Sequence, residues 1–495
     1  MMKYKNPIIV SDYSDPDVIR YKDNYYMIAS SFNHFPGVPV LKSKNLVDWK
    51  LINYIFDKLP FEKFNHVCHG EGAWAPSLRY HNGKFYAFIP FPDEGIYVSE
   101  CDDIEKGNWS EPWPILEGKG YEDPCPIWLD DKCYVVIGFV KSRIGFNSKL
   151  AVFEISTDCK KRLTDYKFIY DGHNTQPTIE GPKFYYINDY IYILAPAGSV
   201  KTGWQTALRS KNIYGPYEEK IVMMQNDSKI NGPHQGALID LPNGEYAFIN
   251  FQDKGVYGRI VHLQPVTWHN DWPIIGEPKD LLLAGTPVTE WDYLVNKESN
   301  YKIQINDNFK NDKLSLMWQT PSFLKDEWYE LNNGLKLNCI YDEASTNELN
   351  LCPNLFLTKI AAFSFNVSVK CNLNLKNDGD EAGLCFMGKE YAYISVKREN
   401  SKNYILLNSG SFGNKDNILE RIEYDSNEIK FNMYFKYPGE YYLGYNGKKL
   451  KKKLIGYPGR WIGGKYGIFA KSINKSEGYA IFNNFKVVEL NGNKY

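Results

Sequence analysis

Four short stretches place an acid or an imidazole beside proline or glycine: Asp15-Pro16-Asp17, Glu122-Asp123-Pro124, Glu180-Gly181-Pro182 and Pro233-His234-Gln235-Gly236. One at a time, an Asp before a Pro reads as a turn residue whose short side chain bonds the nearby backbone. Brought together, the same acids could do chemistry. Two carboxyl groups flanking a glycosidic bond suffice to hydrolyse it: one protonates the leaving oxygen while the other activates water or attacks directly. A third acid close by tunes the proton donor through like-charge repulsion and helps orient it. Asp15, Asp123 and Glu180 are the candidates. Asp17, on the same strand face as Asp15, is the decoy, and Glu122 is assigned to the surface or to a supporting layer behind the acids.

Such convergence needs a scaffold, and the spacing supplies one. Five segments repeat a pattern of polar leader, short apolar run, a turn rich in Asp, Asn and Gly, and a second run carrying aromatics. They begin at Asp15, Ala75, Asp123, Glu180 and His234, and each carries a tyrosine at a matching place: Tyr26, Tyr86, Tyr134, Tyr192 and Tyr246. Leaders recurring about every 50–60 residues are close to the blade period of a propeller. The expected fold is all-β: a five-bladed β-propeller over residues 1–290, whose innermost strands line a central channel. Equivalent leaders would then meet at one channel mouth. After Trp291 the texture changes. All eight histidines lie between His34 and His269. Residues 289–300 read as a linker, and residues 300–495, with alternating runs such as AFSFNVSVK, read as a β-sandwich.

Bulk properties narrow the function classes. The net charge of -1 argues against a polyanion binder, so no nucleic-acid partner is expected. Aromatics make up 16%, which strand preference accounts for and which also suits stacking on sugar rings. The nine cysteines show no metal-ligand spacing and fit a reducing compartment better than a disulfide scaffold. MMKYKNPIIV lacks the apolar core of a signal peptide, and no apolar run of roughly 18 residues suggests a membrane span. These features lead to an expected cytoplasmic location without a membrane partner. The oligomeric state is left open, a homo-oligomer included.

The set DPDVIR, WAPSLRYHNGKFY, EDPCPIW, IEGPKFY, GPHQGA and GRIVHLQPVTW resembles glycoside hydrolase family 43, in the branch of β-xylosidases and α-L-arabinofuranosidases. The resemblance covers the whole propeller, in order. LSLMWQT, LCPNLFLTK, EAGLCFMGKEYAYISVKR and RWIGGKYGIFA resemble the concanavalin-like jelly-roll sandwich often appended to it. It implies an inverting hydrolase that needs no cofactor for its chemistry. Asp15 would be the general base, Glu180 the general acid and Asp123 the residue that tunes and orients the acid. Base and acid of an inverting pair stand roughly 6.5–9.5 Å apart, leaving room for water. Phe32, Trp74, Arg259, His234 and Gln235 would bind substrate. In some family members the matching histidine helps hold calcium, which makes His234 the metal candidate in the channel, although calcium prefers oxygen ligands. His69, Glu71, Trp204 and Gln205 are weaker candidates for the pocket, and Trp461 is the aromatic that the sandwich could lend to its edge.

The implied activity is exo-acting removal of terminal β-D-xylosyl or α-L-arabinofuranosyl units from xylan- or arabinan-derived oligosaccharides. Four other readings compete. A non-catalytic sugar-binding propeller would lack one of the three acids, and all are present. A phosphorolytic enzyme would need basic residues near the acids to hold the anion, and Arg259 alone is thin. A protein-docking propeller gives no reason for acids at three blade mouths. An endo-acting hydrolase shares the acids and differs in the shape of its pocket.

Overall fold

The structure, a computed structural model, describes residues 2–490. Five antiparallel four-stranded sheets follow one another, each made of four consecutive strands. The first strand of each is Asp17–Tyr21, Ser77–His81, Tyr121–Leu129, Lys183–Ile187 and His234–Asp240. Asp17–Tyr21 touches both Ser77–His81 and His234–Asp240, so the first blade adjoins the last and the five close into a ring. The hairpins leaving this ring are set by turn chemistry. Asn82-Gly83, Asp130-Asp131 and Asn188-Asp189 are two-residue loops with positive φ at both positions, the geometry that matches strand twist and that Asn, Asp and Gly tolerate.

The five repeated tyrosines all fall on second strands, Tyr26, Tyr86, Tyr134 and Tyr192 being buried. Apolar side chains gather between neighbouring blades rather than in one central core. Leu78 and Ile28 share one such layer, Phe88 and Val135 the next, Val136 and Ile193 the third, Leu194 and Phe248 the fourth, and Met27 and Ile249 the last. The channel is therefore free to hold polar groups.

The ring is latched by the start of the chain. Lys3–Lys5 pairs antiparallel with Glu290–Asp292. Asn6 donates from Nδ2 to Leu263 O (2.8 Å) and Val288 O (2.7 Å) and accepts from Leu263 N (2.9 Å). Residues 289–300 are thus not a free linker. Trp291, Tyr293, Leu294 and Val295 pack against the layer between the last and first blades, apolar cover that the Asn and Glu of this segment mask in sequence.

The C-terminal portion is a β-sandwich of an eight-stranded and a seven-stranded sheet. Phe365–Asn374 alternates buried and outward residues, Phe365, Val367, Val369 and Cys371 facing the core, as a strand with one covered face must. The sandwich core continues into the propeller: Val256, Tyr257 and Ile260, all from the fifth blade, belong to it. Phe323 packs in return against Phe35 of the first blade. All nine cysteines are free thiols. No helix among the described residues is long and apolar enough to cross a membrane.

Candidate active site

The inner-strand leaders meet where the geometry requires. Asp15 has φ 56° and Asp123 φ 54°, left-handed conformations that Asp tolerates better than most residues. Asp123 sits where the ladder slips between Glu122 and Cys125, and Gln235 (φ 23°) where it slips between His234 and Gly236. Each irregularity re-aims a side chain out of the sheet toward the channel mouth. The result is one cavity of about 660 Å³ lined by Asp15, Asp123 and Glu180 from three blades, with Phe32, Trp74, Gln235 and Arg259.

Asp15 is buried and its Oδ2 is crowded. It accepts from the hydroxyls of Ser14 (2.6 Å) and Ser30 (2.5 Å), and Arg259 Nη1 lies 3.7 Å away while donating to Ser14 Oγ (2.7 Å). These contacts all fall on Oδ2, which leaves Oδ1 as the oxygen available to a water. Asp123 accepts from Gly181 N through Oδ2 (2.7 Å) and from Gln235 Nε2 through Oδ1 (3.3 Å). Burial, with the charges of Glu180 and Asp15, pushes its pKa up to about 7. Glu180 is the most exposed of the three and meets His234 Nε2 through Oε1 at 2.8 Å. Gly181 must be glycine: its φ is +57°, and a Cβ there would come within 2.7 Å of Gln235.

The aromatic wall is continuous across both domains. Phe32 is bridged by backbone to Ala73, which sets its ring 5.9 Å from that of Trp74, and Trp461 of the sandwich stands 6.3 Å beyond. Arg143, held by Asp93 (3.1 Å), stacks over Trp74 at 5.2 Å. Trp461 is 49% exposed and lines the cavity with Lys389, Pro458, Gly459 and Ile462.

Comparison with known proteins identifies the family. The family model of glycosyl hydrolases family 43 matches residues 4–273, and that of the beta xylosidase C-terminal concanavalin A-like domain matches residues 306–488. The chain belongs to glycoside hydrolase family 43. This family 43 glycoside hydrolase is 34% identical, over 452 residues, to a protein from Xylanibacter ruminicola that carries a beta-xylosidase name, covering 89% of this chain and 82% of that one. It is 29% identical over 410 residues to a non-reducing end alpha-L-arabinofuranosidase from Bacteroides ovatus, covering 77% and 73%. In fold it is like the crystal structure of xylan beta-1,4-xylosidase from Bacillus halodurans, with a TM-score of 0.85 at 21% identity, covering 98% of this chain and 100% of that one.

Several expectations need correcting in this family 43 enzyme. Glu122 is not on the surface; it is 8% exposed and lines the cavity beside Asp123. His69 and Glu71 do not line that cavity. His69 stacks on Phe412 and pairs with Asn350 O, and Glu71 is held by Lys63, because the Gly70–Gly72 loop turns them toward other surfaces. Trp204 donates to Gln176 Oε1 (2.8 Å) instead of facing the cavity, and Gln205 is buried beside it in the same strand. The surroundings of His234 do not fit calcium. Nε2 is committed to Glu180 and buried Nδ1 has no partner among the described residues, whereas calcium takes six to eight oxygens. No group of three or more His, Cys, Asp or Glu side chains among the described residues could hold a metal.

Sequence reading also missed Asp12. Its Oδ1 accepts from Arg259 N (2.8 Å), its Oδ2 from Gly463 N (2.9 Å), and its carbonyl from half-buried Lys359 Nζ (2.5 Å). One side chain thus ties the Arg259 strand to the Trp461 loop. Gly258 (φ +73°) leaves the space for it, since a Cβ there would lie 2.4 Å from Asp12 Oδ1.

Proposed function

We propose that this family 43 enzyme removes single β-D-xylosyl or α-L-arabinofuranosyl units from the non-reducing ends of xylan- or arabinan-derived oligosaccharides, with inversion. Asp15 acts as general base through Oδ1, Glu180 as general acid, and Asp123 tunes and orients that acid. The observation that carries this reading is the convergence of these three carboxyl groups on one walled cavity of about 660 Å³. That size lies within the roughly 300–1,000 Å³ of small-ligand sites. Trp461 closes the cavity from the sandwich side, which favours a pocket that takes a chain end over a cleft that takes a chain middle. The beta-xylosidase and alpha-L-arabinofuranosidase names of the two relatives support the substrate class.

Like-charge crowding bears on the acid that stands beside Glu180. Asp15, Glu122, Asp123 and Glu180, crowded around one volume, raise one another's cost of ionising. Burial, with the charges of Glu180 and Asp15, holds a proton on Asp123 near neutrality, beside the residue proposed to deliver one to the departing sugar. The imidazole of His234 holds Oε1 of Glu180 and leaves the other oxygen for that delivery.

The test is hydrolysis of nitrophenyl β-D-xyloside, nitrophenyl α-L-arabinofuranoside and a xylo-oligosaccharide by wild type and by Glu180→Ala. The variant is expected to lose on the order of 10²–10⁴-fold on the oligosaccharide, and less on the nitrophenyl glycosides, whose leaving group departs without a proton. NMR of the first-formed anomer reads the stereochemistry. If wild type cleaves none of the three, or retains configuration, the proposal fails.

A further inference from the structure

Every carboxyl group lining the cavity has a protein donor except one. Asp15 has two hydroxyl donors, Asp123 a backbone and an amide N–H, Glu180 an imidazole, and Asp253 the N–H of Gly255. Glu122 makes no side-chain hydrogen bond among the described residues, although it is 8% exposed and borders the cavity. Its carboxyl oxygens open on the cavity, where a ligand can supply the hydrogen-bond partner that the described residues do not.

We propose that Glu122 is a substrate-binding and specificity-determining residue whose carboxyl group hydrogen-bonds a ring hydroxyl of the sugar unit held beside Asp123. The proposal rests on the glycosidase reading above and assigns that site a further contact. Local geometry supports it. Glu122 pairs with Gly138 across the ladder, and a Cβ at Gly138 would stand 3.3 Å from Glu122 Cγ, so the glycine opposite leaves the carboxyl group its room. The ladder slip after Glu122 turns two successive acids toward one volume instead of to opposite faces of the sheet. The groups acting on Glu122 are Asp123, Glu180 and Asp15, which with burial hold it toward the neutral form, and Arg143 with the opposite sign. A neutral carboxyl group can donate to a hydroxyl as well as accept from one.

The experiment measures kcat and KM for nitrophenyl β-D-xyloside, nitrophenyl α-L-arabinofuranoside and their monodeoxy analogues with wild type, Glu122→Ala and Glu122→Gln. Glu122→Ala should lower kcat/KM on the order of 10–100-fold, largely through KM, while the amide of Glu122→Gln keeps it within about tenfold. The decisive readout is the deoxy profile. One hydroxyl whose removal costs wild type about tenfold or more should cost Glu122→Ala almost nothing further. If Glu122→Ala stays within about twofold of wild type, or every deoxy penalty survives the substitution, the assignment is overturned. Should circular dichroism find Glu122→Ala unfolded, Glu122→Gln decides: its penalty must change at one hydroxyl alone, and an unchanged profile overturns the assignment. Wild-type cleavage with an unaltered deoxy profile sinks the Glu122 contact only, whereas no wild-type cleavage of either pentoside sinks it together with the glycosidase reading.

Discussion

Asp123 is a carboxyl group that the fold prevents from behaving like one. Burial first, then Glu180 and Asp15, lift its pKa from the ordinary 3.8 to about 7. The native state therefore binds this proton more tightly than the unfolded chain does. The resulting stability is complete below about pH 4 and is lost as pH rises through 7. Asparagine stays neutral throughout, so Asp123→Asn should gain on wild type between pH 5 and pH 8 by a few kcal/mol, while losing most activity. Urea denaturation at the two pH values checks this; a wild-type-to-variant difference that does not change with pH would count against it. At this scale the sequence was partly legible. Asp15, Asp123 and Glu180 could be picked because repeat position singles them out. Glu122 could not be placed, because a ladder slip decides which way its side chain points and no residue type announces the slip.

Among the elements, the loop carrying Trp461 and the strand carrying Arg259 share an anchor, Asp12. Asp12→Ala leaves two backbone N–H groups and the Lys359 side chain in a rearranged junction. It should destabilise the protein by about 1–3 kcal/mol. It should also raise KM for the xylo-oligosaccharide more than it lowers kcat, because both displaced elements line the cavity and neither carries the proposed proton donor. Thermal melts and steady-state kinetics separate the two effects. Trp461→Ala is the complement. The side chain is half exposed, so the melting temperature should hold within a degree or two, while KM for the oligosaccharide rises roughly 3–30-fold through lost stacking. An unchanged KM would remove Trp461 from the binding wall. The hairpins of the blades were readable because Asn, Asp and Gly mark their turns. Asp12 was not, since its partner Gly463 lies 451 residues away in the chain and an Asp three residues before Asp15 has the appearance of one more turn acid.

For the whole molecule, the fold class was legible because it depends on repetition: five hairpins with matching tyrosines admit few architectures besides a propeller, and an alternating pattern without histidine marks where it stops. What repetition could not reveal is that the two parts share a core. Tyr257 donates its hydroxyl to Phe363 O, and its ring meets Phe435 of the sandwich at 5.9 Å. Residue pairs across that seam carry no period and no local motif, so only the folded chain brings them together.

The seam also sets chemistry and admission far apart along the chain. The three proposed catalytic acids lie within residues 15–180, whereas the loop of residues 458–462 that walls the same cavity lies nearly three hundred residues later in the chain. Substitutions in the late loop should therefore alter which oligosaccharides enter while leaving the three proposed catalytic acids as they are.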